Sequence, residues 1–304
     1  MRSSAAGHGA APRDPSGAEP SLPGSTVAVV GLGVIGGSLV RAFAGLPRRP
    51  RVLGASPDAG DRLGAERAAG VETSADARDV VREADIVVYA APMGEIVEML
   101  PQHAPLFRGN ALVMDVASLK GPVLDAARRT GLCQRFVGAH PMAGGESSGF
   151  DGARTELFRG ARVWLCADPA VERAAAERAE AFWRALSAHP TWTDAQVHDD
   201  LMARVSHLPQ LVANALALTL QAAGVAPDEL GPGGRDMTRL AESPPLLWAE
   251  LFARSGPEIA ELLRAVAGWE RELAERLEAG DGEAVAALMS RSREWRRART
   301  EPER

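Results

Sequence analysis

Thr26-Val27-Ala28-Val29-Val30 is an unbroken apolar run that ends at a glycine, the pattern of a strand buried on both faces. A Gly-rich turn follows it, and a helical stretch then runs to about Ala44. Similar runs recur at Arg51–Ala55, Ile86–Ala90, Ala111–Met114, Phe136–Ala139 and Arg162–Cys166, with a helical stretch at Asp58–Ala69. Strands alternating with helices predict an α/β domain on a parallel, doubly wound sheet. Right-handed crossovers then bring the strand carboxyl ends to one edge, where ligands bind.

The pattern changes after about Asp194. Leu201–Ala223, Leu246–Phe252, Glu258–Leu277 and Gly282–Arg297 have helical periodicity, and no strand-like run interrupts them. The chain therefore divides into a tail over 1–24, a dinucleotide-binding type domain over 25–194 and an all-helical domain over 195–304. The tail is rich in Ala, Gly, Ser and Pro and lacks the apolar surface needed to offset its ordering entropy, so it is expected to be disordered. Ala213–Leu218 is apolar nearly all round, which places that helix in a core or against a partner subunit.

Composition narrows the classes. Across 304 residues, 46% are hydrophobic and 24% charged, which suits a globular chain. The net charge of -6 gives no basic signal for nucleic acid. No apolar run approaches the roughly 18 residues of a membrane span, and no apolar segment of signal-peptide type opens the chain. Cys133 and Cys166 form neither a disulfide framework nor a metal pattern. These features predict a cytoplasmic protein with no metal site, no membrane partner and no nucleic-acid partner. Lys120 is the only lysine in an arginine-rich chain.

Gly31-Leu32-Gly33-Val34-Ile35-Gly36 lies between the first strand and its helix. In a Rossmann-type turn the first glycine permits the bend, the second lets backbone approach a pyrophosphate, and the third lets helix and strand pack. The helix N-terminus offers N–H groups to the phosphates. These six residues, with Ala91 and Pro92 after the Ile86 strand, are candidate cofactor contacts. At the end of the second strand, Ser56 stands where an NAD site usually has an acid. NADP and NAD both stay open: Arg62 could reach in from the next helix, and Asp58 could fold back.

Three polar constellations follow at Asp115–Lys120, Gly138–Gly149 and Gly233–Ala241. His140, beside a strand end and a Gly-rich loop, is the histidine best placed to act as a general base. Together the Gly-Leu-Gly-x-Ile-Gly-Gly-Ser, Asp-Val-x-Ser-x-Lys, Gly-x-His-Pro-Met-Ala-Gly-x-Glu-x-Ser-Gly and Arg-Asp-x-Thr-Arg-x-Ala segments resemble the prephenate/arogenate dehydrogenases, over residues 25 to about 295. The resemblance implies an NAD(P)-dependent oxidative decarboxylation in tyrosine biosynthesis, with a small-molecule substrate whose ring becomes aromatic. It implies His140 as the base and Ser118 as the serine holding the substrate hydroxyl and imidazole. It implies Arg239 for the ring carboxylate, Arg235 for the side-chain carboxylate, and Glu146 and Trp248 at the pocket. It also implies a homodimer through the helical domain, with Trp248 reaching toward the neighbouring subunit.

Gln210 departs from the pattern, since many relatives have His after Ser-His-Leu-Pro; it is expected near the substrate side chain. Two alternatives share the motifs: a dehydrogenase of 4-amino-4-deoxyprephenate in secondary metabolism, and a non-catalytic NAD(P) sensor. His140, Ser118 and Arg239 together disfavour a sensor, which needs no base. A 3-hydroxyacid dehydrogenase needs a lysine in the second domain, and that domain has none.

Overall fold

The computed structural model describes residues 22, 25–144 and 148–298. Its contacts divide the chain into two compact units that meet between Ala195 and Gln196.

The first unit is built on one eight-stranded sheet. Its strands are β1 (Thr26–Val30), β2 (Arg51–Ala55), β3 (Glu72–Ser74), β4 (Ile86–Tyr89), β5 (Leu112–Asp115), β6 (Phe136–Pro141), β7 (Arg162–Ala167) and β8 (His189–Trp192), in the spatial order β3-β2-β1-β4-β5-β6-β7-β8. The first six pair in parallel. Their crossovers carry α1 (Val34–Ala44), α2 (Ala59–Ala69), α3 (Ala77–Val81), α4 (Met93–His103) and α5 (Gly121–Arg129).

The wholly parallel expectation fails at one edge. β7 runs antiparallel to β6, and β8 runs parallel to β7. Among the described residues between β6 and β7 there is only a 3-10 turn at Phe150–Gly152 and no crossover α-helix, so the chain can return beside the strand it left. α6 (Arg173–Ala185) then links β7 to β8. The core is aliphatic along β1, β4, β5 and β6 and aromatic under α6, where Phe182 meets Phe43 and Trp183 edge-on at 5.2 Å. Each fully buried Val or Leu in such a core stabilises the fold by about 1.5–3 kcal/mol relative to exposure. Leu22, placed by the sequence pattern in the tail, is a buried member of this core at 6% exposure; the rest of the tail, apart from Leu22, lies outside the described residues.

The second unit is helical. Its first run starts as α7 (Ala195–Met202), passes through a π-helix at Ala203–His207 and continues as α8 (Leu208–Ala222). α9 (Pro232–Thr238), a 3-10 turn at Arg239–Glu242, α10 (Pro245–Glu278) and α11 (Gly282–Arg297) follow. The two helices expected at Leu246–Phe252 and Glu258–Leu277 are one. α10 runs through Pro257, which removes one backbone donor from the helix without ending it. α8 does not lie in a closed core: Gln210 and Ala213 are its buried residues, and Leu218 is 64% exposed. Among the described residues no helix is long and apolar enough to cross a membrane.

Candidate active site

The sheet register brings the candidate residues of the first unit to one edge. Val30 pairs with Ala55 and Tyr89, and Tyr89 pairs with Asp115, so β1, β2, β4 and β5 end level. Gly31, Ser56, Ala91 and Ser118 follow those ends directly or within three residues.

At the β1–α1 turn, Gly31 has φ +94, and a Cβ there would sit 2.4 Å from the Ala90 carbonyl oxygen. A Cβ on Gly36 would sit 1.8 Å from the Gly31 oxygen. Both positions therefore require glycine. Gly33 differs, because nothing lies within 4 Å of a Cβ placed there. No side chain caps α1, so the N–H groups of its first turn have no side-chain acceptor. An uncapped helix N-terminus above an open glycine fits a dinucleotide pyrophosphate. Leu32 is fully buried and packs toward Gly54, so it can offer a cofactor only its backbone. Val34 and Ile35 open α1, and Pro92 is the N-cap of α4.

His140 does not follow β6, as the sequence pattern had it; it lies within the strand, paired with Trp164 of β7. β5 stops pairing with β6 at Gly138, so the last residues of β6 pass beyond β5 while β7 supports them from the other side. This leaves His140 half-buried at the edge, and Ser118 is exposed in the loop after β5.

Lys120 ties these two segments together. Its ammonium is fully buried, forms an ion pair with the equally buried Asp115 and donates to the Ala139 carbonyl at 2.7 Å. Asp115 also accepts the Ala117 N–H at 2.8 Å. The pair thus closes the Ser118 loop on itself and clips it to the residue before His140. Sequence reasoning gave Lys120 no role of its own. The available signal was a single lysine kept in an arginine-rich chain, at a place where a compact ammonium fits and a wide guanidinium fork does not.

The loop that leaves His140 is anchored at its far end. Phe150 N–H donates to Asp61 of α2 at 2.7 Å, the Phe150 ring packs at Gly37 and Gly64, and Arg41 lies 4.6 Å over it. Glu146 lies outside the described residues.

In the second unit Arg235 is exposed on α9 and Arg239 is exposed at the start of the 3-10 turn. Gln210, expected beside the substrate, is 1% exposed and its amide is occupied. Its Nε2 donates to the Leu240 carbonyl at 2.6 Å and to Asn214 at 3.2 Å, and its Oε1 accepts from Ser243 at 3.2 Å. It therefore pins the Arg239–Glu242 turn to α8. Trp248, expected to reach toward a neighbouring subunit, stacks on Phe252 at 5.4 Å and meets His207 edge-on within its own unit. Burial lowers the His207 pKa to about 4, so that ring is neutral. Among the described residues no cluster of His, Cys, Asp or Glu could hold a metal ion.

Comparison with known proteins agrees with this layout. Residues 46–191 match the family model for the prephenate dehydrogenase nucleotide-binding domain, and residues 194–291 match the prephenate dehydrogenase dimerization domain. A prephenate dehydrogenase of Bacillus subtilis is 30% identical over 82% of this chain and 68% of its own length. A cyclohexadienyl dehydrogenase of Zymomonas mobilis is 26% identical over 90% of this chain and 95% of its own. The fold matches a prephenate dehydrogenase from Aquifex aeolicus, solved with hydroxyphenyl propionate and NAD+, with a TM-score of 0.82, 24% identity and coverage of 91% and 98%. With both of its domains matched in order, the chain belongs to the prephenate dehydrogenase family of NAD(P)-using oxidoreductases.

Proposed function

We propose that this chain oxidatively decarboxylates prephenate or arogenate. The observation that carries the reading is the single sheet edge, where the open Gly33 turn and the Ser118 loop follow neighbouring strand ends and His140 lies in the last residues of β6, beyond the end of β5. A bound nicotinamide supplies the hydride acceptor. His140 takes the proton of the ring hydroxyl, and Ser118 holds that hydroxyl against the imidazole. Loss of the hydride from the same carbon and of carbon dioxide from the para position leaves an aromatic ring. Lys120 and Asp115 keep Ser118 and His140 in register. Arg239 holds the ring carboxylate through a guanidinium fork, and Arg235 offers a cation to the side-chain carboxylate.

The same reading includes a homodimer through the helical unit. Leu218, Trp269, Leu277, Met289 and Trp295 are all more than half exposed there. Covering such a surface with a second copy would make a large, apolar two-fold interface. Sedimentation at micromolar concentration is expected to give one species of about 64 kDa, twice the 32.0 kDa chain. A stable, active monomer would remove the dimer.

Turnover with prephenate and with arogenate, each against NAD+ and NADP+, tests the function. Reduced nicotinamide and carbon dioxide should form in equal amounts with at least one pair. Tight dinucleotide binding with no turnover on either substrate would refute the assignment.

A further inference from the structure

At the end of β2 the usual acceptor of an NAD site is missing. An Asp or Glu there normally accepts the adenosine ribose 2′-hydroxyl; this chain has Ser56, which is 5% exposed. Two carboxylates lie nearby, and backbone N–H groups hold both. Asp58 caps α2 by accepting from Asp61 N–H at 2.8 Å. Asp61 accepts Phe150 N–H through one oxygen, and its other oxygen lies 3.5 Å from the Ser56 hydroxyl. The Ser56 hydroxyl in turn accepts Asp58 N–H at 3.2 Å.

Arg62 is the cation of this turn. Its Nη1 donates to the Ser56 carbonyl at 2.7 Å and to the Pro57 carbonyl at 2.9 Å. These bonds fasten the guanidinium to the strand end. Its Nε and Nη2 have no hydrogen-bond partner among the described residues. A guanidinium already ordered, with donors to spare, suits a phosphate and loses little further freedom on binding it.

We propose that Arg62, together with the missing strand-end acid, makes NADP the preferred cofactor by engaging the phosphate on its adenosine ribose. The proposal rests on the reading of the Gly31–Gly36 turn as the dinucleotide site. Asp58 and Asp61 weaken the field that a phosphate meets, so the preference is modest. One or two charge-assisted hydrogen bonds give about tenfold to a hundredfold in affinity.

Calorimetric titration of the full chain with NADP+, NAD+, adenosine 2′,5′-bisphosphate and 5′-AMP tests this without turnover. NADP+ should bind at least about tenfold more tightly than NAD+, and the bisphosphate more tightly than 5′-AMP. Arg62→Ala and Arg62→Gln should weaken NADP+ alone, and Ser56→Asp should shift the preference toward NAD+. NAD+ binding as well as NADP+, or Arg62→Ala weakening both alike, would overturn the role of Arg62 while leaving the dinucleotide site standing. Binding of neither dinucleotide would remove the site itself, and the proposal with it.

Discussion

Lys120→Met keeps about the length of the apolar stem and removes the ammonium at its end. Both members of the Lys120–Asp115 pair are fully buried, so no water can replace what is lost. Taking one partner from a buried ion pair costs about 3–5 kcal/mol. The Ala139 carbonyl loses its 2.7 Å donor as well, for about 1 kcal/mol more. Against a typical stability of about 5–15 kcal/mol, the sheet unit becomes marginal or unfolds. Asp115→Leu with Lys120→Met removes both charges and should recover part of the loss, though Ala117 N–H then lacks its acceptor. Urea unfolding followed by circular dichroism measures both variants, with the transition of the sheet unit fitted separately from that of the helical unit. Activity should fall further than the folded fraction does, because Ser118 and His140 lose their common tether. A Lys120→Met protein within about 1 kcal/mol of the parent, with unchanged turnover, would refute both the energetics and the tether.

His140→Asn should fold and bind dinucleotide normally while kcat drops about 10²–10⁴-fold; near-parental turnover would remove the base from the scheme. Arg239→Gln should raise KM for the substrate on the order of 10²-fold with little change in cofactor affinity, and a collapse of cofactor binding would reassign Arg239. Gln210→Leu frees the Arg239–Glu242 turn, so KM should rise in the same sense but less, with kcat nearly unchanged; an unaltered KM would separate Gln210 from Arg239. His207 titrates at about 4 in the fold against about 6.5 when unfolded. The unfolded chain therefore takes up the proton first as pH falls. Stability present above about pH 6.5 is lost progressively toward about pH 4, on the order of 3 kcal/mol. Denaturation midpoints of the parent and of His207→Phe between those pH values should differ in slope; parallel slopes would dismiss His207 as the source.

The inner parallel strands were legible because each is buried on both faces and reads as an apolar run. β3 and β8 were not. Glu72-Thr73-Ser74 and His189-Pro190-Thr191-Trp192 are edge strands, mostly exposed, and nothing in their composition separates them from loops. The continuity of α10 was hidden by Gly256-Pro257, a pair that reads as a break when neighbouring turns cannot be seen to carry the helix across. The glycine turn could be read because steric need fixes residue type position by position, as the 1.8 Å approach at Gly36 illustrates. The partners of Gln210 and Trp248 within their own unit could not be read the same way. Their motif position says which residues they stand among, whereas their hydrogen bonds and ring contacts decide which way they face. Lys120 was opaque for a related reason, since one of its partners is a carbonyl on another strand, and a carbonyl leaves no trace in residue identity.

The π-helix at Ala203–His207 gives the helical unit a tolerance to chain length that an ordinary helix lacks. Leu208 N–H reaches back to the Ala203 carbonyl, so this stretch holds one residue more than an α-helical turn would. Removing a single residue anywhere between Met202 and Leu208 would let the run close as ordinary α-helix. Leu208 N–H would then meet the same Ala203 carbonyl across an ordinary turn, so the helices on either side would stay nearly in phase and Gln210 would keep Leu240. A deletion in the α-helical part of the run would instead turn everything beyond it by about 100°, the advance of one residue. The extra residue is therefore slack in the helix, and its loss would fall on the side chains of that one turn, His207 among them.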